Sequence, residues 1–375
     1  MRKLAGAALA VVAVLAGCGG TANRFELSAL PAGSQIGQPQ VLWRASAGPG
    51  DGFDLEPLVT TDTIVVAAAN GTLTRFSMSG ERAWQFSVAE TLNSGVGGND
   101  SRFFVVSERG VVSAYNPDGQ KAWENDLRAE VVATAKQADG VMVLRTSDAR
   151  IVGVDAADGK KRWTFQRALP ALTLRANAGV TISRGRVYAG LAGGRLVAIS
   201  LADGSVVWET LVAVARGTTE LERIADVIGV PIVSQTDVCA VAYQGRVGCY
   251  DLGRGDAIWS REASSIVGLA GDQTGLYMVA EDDTVIAFDR ATGASTWRQE
   301  KLRGRRLGAP AVVNGDLVIG DGGGVVHLLR IDSGELHGRI ETDGSPISAA
   351  PQRIPGGGWV VLTKGGTLLA MTWVN

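Results

Sequence analysis

The residue types that most often carry chemistry are few here and poorly placed for it. The chain has two histidines, His327 and His337, and three cysteines, Cys18, Cys239 and Cys249. No His-x-x-x-His or Cys-x-x-Cys pair occurs, so no spacing brings zinc ligands together on one helix face or tight loop. His327 alternates with Val325 and Leu329, and His337 falls in an outer-strand position, which makes both structural residues. Gly320-Asp321-Gly322-Gly323-Gly324 resembles a phosphate loop but lacks the following Lys-Ser/Thr and a helix, so it predicts a hairpin turn. No catalytic residue, metal ligand or cofactor site is predicted.

Cys18 has a different chemistry. Arg2 and Lys3 precede an apolar run, Leu4 to Ala16, too short to span a bilayer. Leu15-Ala16-Gly17-Cys18 then has the form of a lipobox, in which the cysteine becomes an acylated N-terminus. Each buried acyl methylene would contribute about 0.8 kcal/mol to anchoring. Residues 1–17 are therefore predicted to be a lipoprotein signal peptide. Residues 18–38, rich in Gly, Ser, Pro and Ala, are predicted to be a lipidated flexible tether with a reach on the order of 25 Å.

Cys239 and Cys249 bracket a hairpin around Tyr243-Gln244-Gly245. A three-residue loop with Gly245 at the bulge places Cys239 opposite Cys249 at a position where the two chains run close. That geometry suits a structural cross-strand disulfide in an oxidising compartment. A two-residue turn would shift the register and leave two buried thiols.

The elements that carry these residues follow from an internal repeat. A tryptophan recurs four residues after a glycine at Gly80/Trp84, Gly119/Trp123, Gly159/Trp163, Gly204/Trp208, Gly255/Trp259 and Gly293/Trp297, with Trp43 starting the series. After Gly334 the same offset lands on Gly338, so one repeat has lost its tryptophan. Inside each repeat two apolar runs meet at a glycine turn, as in Arg186–Gly190, Gly194 and Arg195–Ile199. A turn at Asp203-Gly204 then leads to a strand ending in Trp208. Glycine tolerates the positive φ that such turns require.

No segment holds a helical period. Short strands in repeats of about 40 residues define an all-β, eight-bladed β-propeller over residues 39–375. Gln40–Ser46 supplies the outer strand of an eighth blade whose inner strands lie at the C-terminus, so the ring closes without an open blade. The tryptophans Trp43, Trp84, Trp123, Trp163, Trp208, Trp259 and Trp297 are predicted to fill the wedges between blades. The formal net charge of −2 leaves no basic surplus to neutralise phosphates, which excludes nucleic acid as a partner.

Two connections depart from the repeat. They fall in the longest tryptophan spacings, 45 and 51 residues, on either side of Trp208, and ring geometry puts them next to one another. The first contains Leu172-Thr173-Leu174-Arg175; the second contains Gly217-Thr218-Thr219-Glu220-Leu221-Glu222-Arg223-Ile224-Ala225-Asp226. In the second, Leu221, Ile224 and Val227 recur at helical spacing, and Thr219 with Glu222 fits a capping box, so a short rim helix is predicted. Elaborated loops on a regular scaffold mark a candidate site.

The repeats Val-Tyr-x-Gly, Gly-x-Leu-x-Ala and Asp-Gly-x-x-x-Trp resemble the quinoprotein, or PQQ-like, propeller repeat. With the two elaborated loops and the lipobox, the whole chain resembles the BamB family of outer-membrane β-barrel assembly lipoproteins. That resemblance implies a non-catalytic scaffold of the BAM complex, held at the periplasmic face of the outer membrane and docked on the POTRA domains of BamA. Nascent outer-membrane β-barrels are its implied clients. It also implies that Leu172, Leu174, Arg175 and Asp226 form the contact. Apolar anchors and a planar guanidinium suit that role. The leucines pointing inward, or Asp226 pairing with Arg175 or Arg223, would be the structural alternative. The family tends to place a second acidic residue two positions after Asp226; here that position is Ile228.

Two other classes share the fold. A PQQ-dependent oxidoreductase resembles a longer chain with adjacent paired cysteines and acidic metal ligands, neither of which is visible. A glycan-binding propeller would need a cluster of acidic and aromatic residues, and none recommends itself.

Overall fold

The apolar runs become strands buried on both sides. Arg186–Leu191 and Arg195–Ser200, for example, are buried along nearly their whole length, as expected for strands covered by packed sheets on both faces. In the computed structural model, which describes residues 27–32, 37–50, 54–174, 178–214 and 216–373, the strands form eight four-stranded antiparallel sheets. Seven take four consecutive strands each. The eighth takes Gln352–Ile354, Gly358–Leu362 and Thr367–Thr372 and is completed by Gln40–Ser46. We number the blades 1 to 8 from residues 58–87 onward, blade 8 being the composite one. The signal segment and Cys18 lie outside the described residues.

The outer strand of blade 4 does not stop at Trp208 but runs on to Leu211. In every blade but blade 7 the outer strand turns a tryptophan inward between solvent-facing residues. Its indole N–H is satisfied in the next blade. Trp163 Nε1 donates to Leu201 O at 2.8 Å, Trp208 Nε1 to Leu252 O at 3.1 Å, and Trp259 Nε1 to Arg290 O at 2.7 Å. Trp43, Trp84, Trp123 and Trp297 make the same bond.

The repeat glycine closes that contact from the other side. Gly255 has φ +75°, and a Cβ there would stand 2.6 Å from the Trp208 ring of the preceding blade. Thus the glycine and tryptophan of one Gly-x-x-x-Trp motif serve two different blade interfaces. Blade 7 has Gly338 in place of the ring, and Trp373 fills the space: a Cβ on Gly338 would lie 2.7 Å from it. The His337 ring meets Trp373 edge-on at 4.8 Å, while its Nε2 bonds Asp316 at 2.8 Å.

Blade 7 is also strapped. Part of the stretch predicted to be a free tether is docked on it. Ser28 N donates to Gly304 O, Arg305 Nη1 donates to Ser28 O at 2.6 Å, and Arg339 Nη1 donates to Pro31 O at 2.9 Å. Gly37 then pairs parallel with Gly338. Two arginines that sequester backbone carbonyls hold the segment, so its polar composition does not keep it in solvent. Arg305 is itself fixed by buried Asp321, which also bonds His327 Nε2 at 2.9 Å.

In each meander, the connection leaving the outer strand and the turn between the second and third strands lie on the same face of the ring, termed here the loop face. The strap reaches blade 7 from this face.

Candidate docking site

The two elaborated connections, residues 167–179 and 212–226, sit side by side on the loop face, flanking blade 4. Asp226 joins them. Its carboxylate accepts the backbone N–H of Leu174 at 2.7 Å and that of Gly193, in the second-to-third strand turn of blade 4, at 3.0 Å. Asp226 is only 5% exposed. It therefore positions the first loop and presents no carboxylate to solvent. Arg145, at the end of the second strand of blade 3, donates to Gly190 O and lies near Asp226. Burial pulls the Arg145 guanidinium down to about 10 while Asp226 supports its charge. It stays cationic at neutral pH.

The leucines of the first loop divide the work. Leu172 is 42% exposed, whereas Leu174 packs against the buried cluster of Ile228, Cys239, Val241 and Trp259. Arg175 lies outside the described residues. Ile228, standing where a second acidic residue was absent, is part of that same core.

The rim helix predicted over the second loop is a single turn. Glu222 Oε2 accepts the N–H groups of Thr218 and Thr219 at 2.8 and 3.0 Å, and Glu222 N donates back to Thr219 Oγ1. The Thr219 and Thr218 N–H groups hold the Glu222 carboxyl below its usual range. The capping box forms, but Gly217 at φ +141° precedes it and the extended strand begins at Val227. One turn cannot repay helix nucleation. Ile224 is buried as an anchor while Leu221 points out, 67% exposed.

Leu169, Leu172, Val214 and Leu221 are the exposed large apolar side chains of the two loops. Among the described residues, every exposed large apolar side chain except Leu42 falls between positions 169 and 266. Beside the first loop a cavity of about 390 Å³ is lined by Pro170, Leu191, Arg195 and Glu209. There Arg167 and Arg195 both grip the Glu209 carboxylate, at 2.7 and 2.9 Å.

Sequence reasoning missed Arg145, Leu169 and Val214. Arg145 carried a signal, because it ends a second strand, Val141–Arg145, whose counterparts end in apolar residues or glycine.

Cys239 and Cys249 are opposite one another in register and form a disulfide, with Cα atoms 4.0 Å apart. The left-handed residue of the connecting turn is Gln244 at φ +47°, not Gly245, which is pressed against Ala213 and Ala242. Asp237 stands beside the two sulfurs, but a disulfide offers no thiolate to a metal.

The fold is a closed eight-bladed propeller whose exposed large apolar side chains, among the described residues, lie on the two loops, on strand Val206–Leu211 and at Leu42, Val230, Ile258 and Ile266. A family model described as outer membrane protein assembly factor BamB matches residues 69–299. The outer membrane protein assembly factor BamB of Burkholderia pseudomallei is 35% identical over 96% of this chain and 95% of its own length. The chain belongs to the BamB family. In fold it is similar to the crystal structure of BamB from Moraxella catarrhalis, with a TM-score of 0.82, 23% identity, and coverage of 89% of this chain and 100% of that one. It is also similar to the quinohemoprotein alcohol dehydrogenase of Comamonas testosteroni, with a TM-score of 0.74, 11% identity, and coverage of 91% of this chain and 78% of the enzyme.

Proposed function

We propose that this protein is a non-catalytic scaffold of outer-membrane β-barrel assembly that docks on the POTRA domains of BamA through the loop bearing Leu172, Leu174 and Arg175. The observation that carries this reading is the Asp226 clamp. A buried carboxylate ties the first loop, through the Leu174 N–H, to the blade 4 turn, through the Gly193 N–H, while Leu172 and Leu169 beside it stay in solvent. Preorganised apolar anchors are what a protein interface needs, since ordering a loop on binding costs affinity. Leu174 supports the loop from below, and Arg175 supplies a donor fork to the partner.

Acylation of Cys18 would anchor the protein to the outer membrane on its periplasmic side. The strap meets blade 7 on the loop face, which supports an anchor on the same side of the ring as the docking loops.

The test is binding of the full chain, in detergent, to isolated POTRA domains. Arg175→Glu and Leu172→Asp are expected to weaken it at least tenfold, about 1.4 kcal/mol, with the fold confirmed by circular dichroism. Equal affinity of both variants and the parent refutes the site.

A further inference from the structure

The outer strands of a propeller are open edges, and their exposed residues differ in one blade. Arg82 stands on the outer strand of blade 1, Lys121 and Glu124 on that of blade 2, and Lys161 and Arg162 on that of blade 3. Arg261 and Glu262 occupy the strand of blade 5, Arg298 that of blade 6, and Arg44 that of blade 8. The edge of blade 7 is covered by the strap at Gly37. Blade 4 alone, among the described residues, has an uncovered outer strand, Val206–Leu211, whose exposed residues are all apolar: Val206, Val207 and Leu211. Charged side chains on edges block pairing with another chain, and this edge has none free. Its one carboxylate, Glu209, is taken by Arg167 and Arg195.

The backbone of this strand is available as well. Val212 N donates to Gly194 O at 2.7 Å, which makes 212/194 a hydrogen-bonded pair. By alternation, Leu211 and Glu209 turn their N–H and C=O groups away from the sheet. The strand runs directly into the second docking loop. At its Leu211 end, Arg195 stands opposite in register, and two guanidiniums share the single Glu209 carboxylate, leaving positive charge unspent.

We infer that the Val206–Leu211 edge receives an extended strand of an unfolded β-protein client, added to blade 4 through backbone hydrogen bonds. The client segment alternates apolar and polar residues, so that its apolar side chains meet Val207 and Leu211, and carries an acidic residue near the two arginines. Strand addition supplies affinity from main-chain bonds and selectivity from alternate side chains. This inference rests on the assembly function proposed above and assigns the client to a different surface from the POTRA contact.

The experiment uses the full chain and a fluorescein-labelled ten-residue peptide of alternating valine and threonine ending in aspartate. A second copy of the peptide is N-methylated at alternate amides. Val207→Lys and Leu211→Lys, both at exposed positions, are expected to weaken binding of the plain peptide at least tenfold while POTRA affinity is unchanged. N-methylation is expected to abolish binding to the parent protein. Binding that survives either lysine substitution, or tolerates N-methylation, overturns the inference. So does a concentration-dependent dimer of the parent protein that Val207→Lys dissolves, because the edge would then belong to a second copy. Loss of POTRA binding with peptide binding intact would sink the docking reading alone.

Discussion

Replacing Asp226 with asparagine keeps the volume of the side chain and removes its charge. The amide oxygen can still accept one of the two N–H groups now bonded to the carboxylate, those of Leu174 and Gly193. The amide nitrogen then faces the other N–H, donor to donor. Both bonds are only partly buried, so the orphaned N–H costs about 1 kcal/mol, at the low end of its range, and loss of charge from the remaining bond costs about 1 more. The expected total is about 2 kcal/mol, with Arg145 left beside a neutral partner. Native-state hydrogen exchange measures it directly. The Leu174 amide is expected to exchange roughly 30-fold faster in Asp226→Asn, and POTRA affinity to fall as the loop loses its preorganisation. Unchanged exchange at both Leu174 and Gly193 would refute the clamp, whatever happened to binding.

The blade interfaces predict a contrast between two glycines of similar φ. Gly255→Ala places a methyl against the Trp208 ring, whereas Gly185→Ala, at φ +70°, meets nothing within 4 Å. Thermal unfolding is expected to show the first as the costlier by about 1–3 kcal/mol; equal losses would mean that the ring contact carries no weight. Reducing the Cys239–Cys249 bond releases a constraint spanning ten residues and is expected to lower the melting temperature by several degrees, a stabilisation of about 3 kcal/mol in the chain-entropy account. Finding two free thiols in the unreduced protein would refute the pairing. Burial pushes the Asp343 carboxyl up, but the hydroxyls of Ser345, Thr367 and Thr363 and the Ser345 N–H outweigh it and hold it at about 2. A depressed folded-state value stabilises the protein above the unfolded value, near pH 4, and that contribution disappears as the pH falls towards 2. Asp343→Asn is expected to flatten the melting temperature against pH across that window, and an unaltered slope would count against it.

The ring was legible because its signal is spacing. Six glycine–tryptophan pairs and the Gly334/Gly338 repeat mark seven outer strands, and the leftover strand at Trp43 marks the closure. Which interface each glycine serves was not legible, since Gly255 touches a ring 47 residues earlier in the chain. The rim helix was over-read because Leu221, Ile224 and Val227 match its period over a span too short to nucleate it. Asp226 was found, but its inward aim depends on amides from two other segments. The strap was invisible for the same reason. Its grip comes from Arg305 and Arg339, 277 and 308 residues further along, and nothing local in Ser28 or Pro31 announces them.

Blade 8 has a consequence for how the protein is made. Gln40–Ser46 pairs with Thr367–Thr372, so the first strand synthesised waits for the last before it has a neighbour. Synthesis delivers the N-terminal side first, and until the last strand follows, Gln40–Ser46 has no partner in its own sheet. The ring therefore matures in a single late event, the arrival of its final twenty or so residues. A nonsense mutation that removes only those residues leaves the first strand without a sheet partner, while Trp43 keeps its bond to Met78 O of blade 1. Its product is expected to be degraded in the cell like an unfolded chain, although seven of its eight blades are encoded in full.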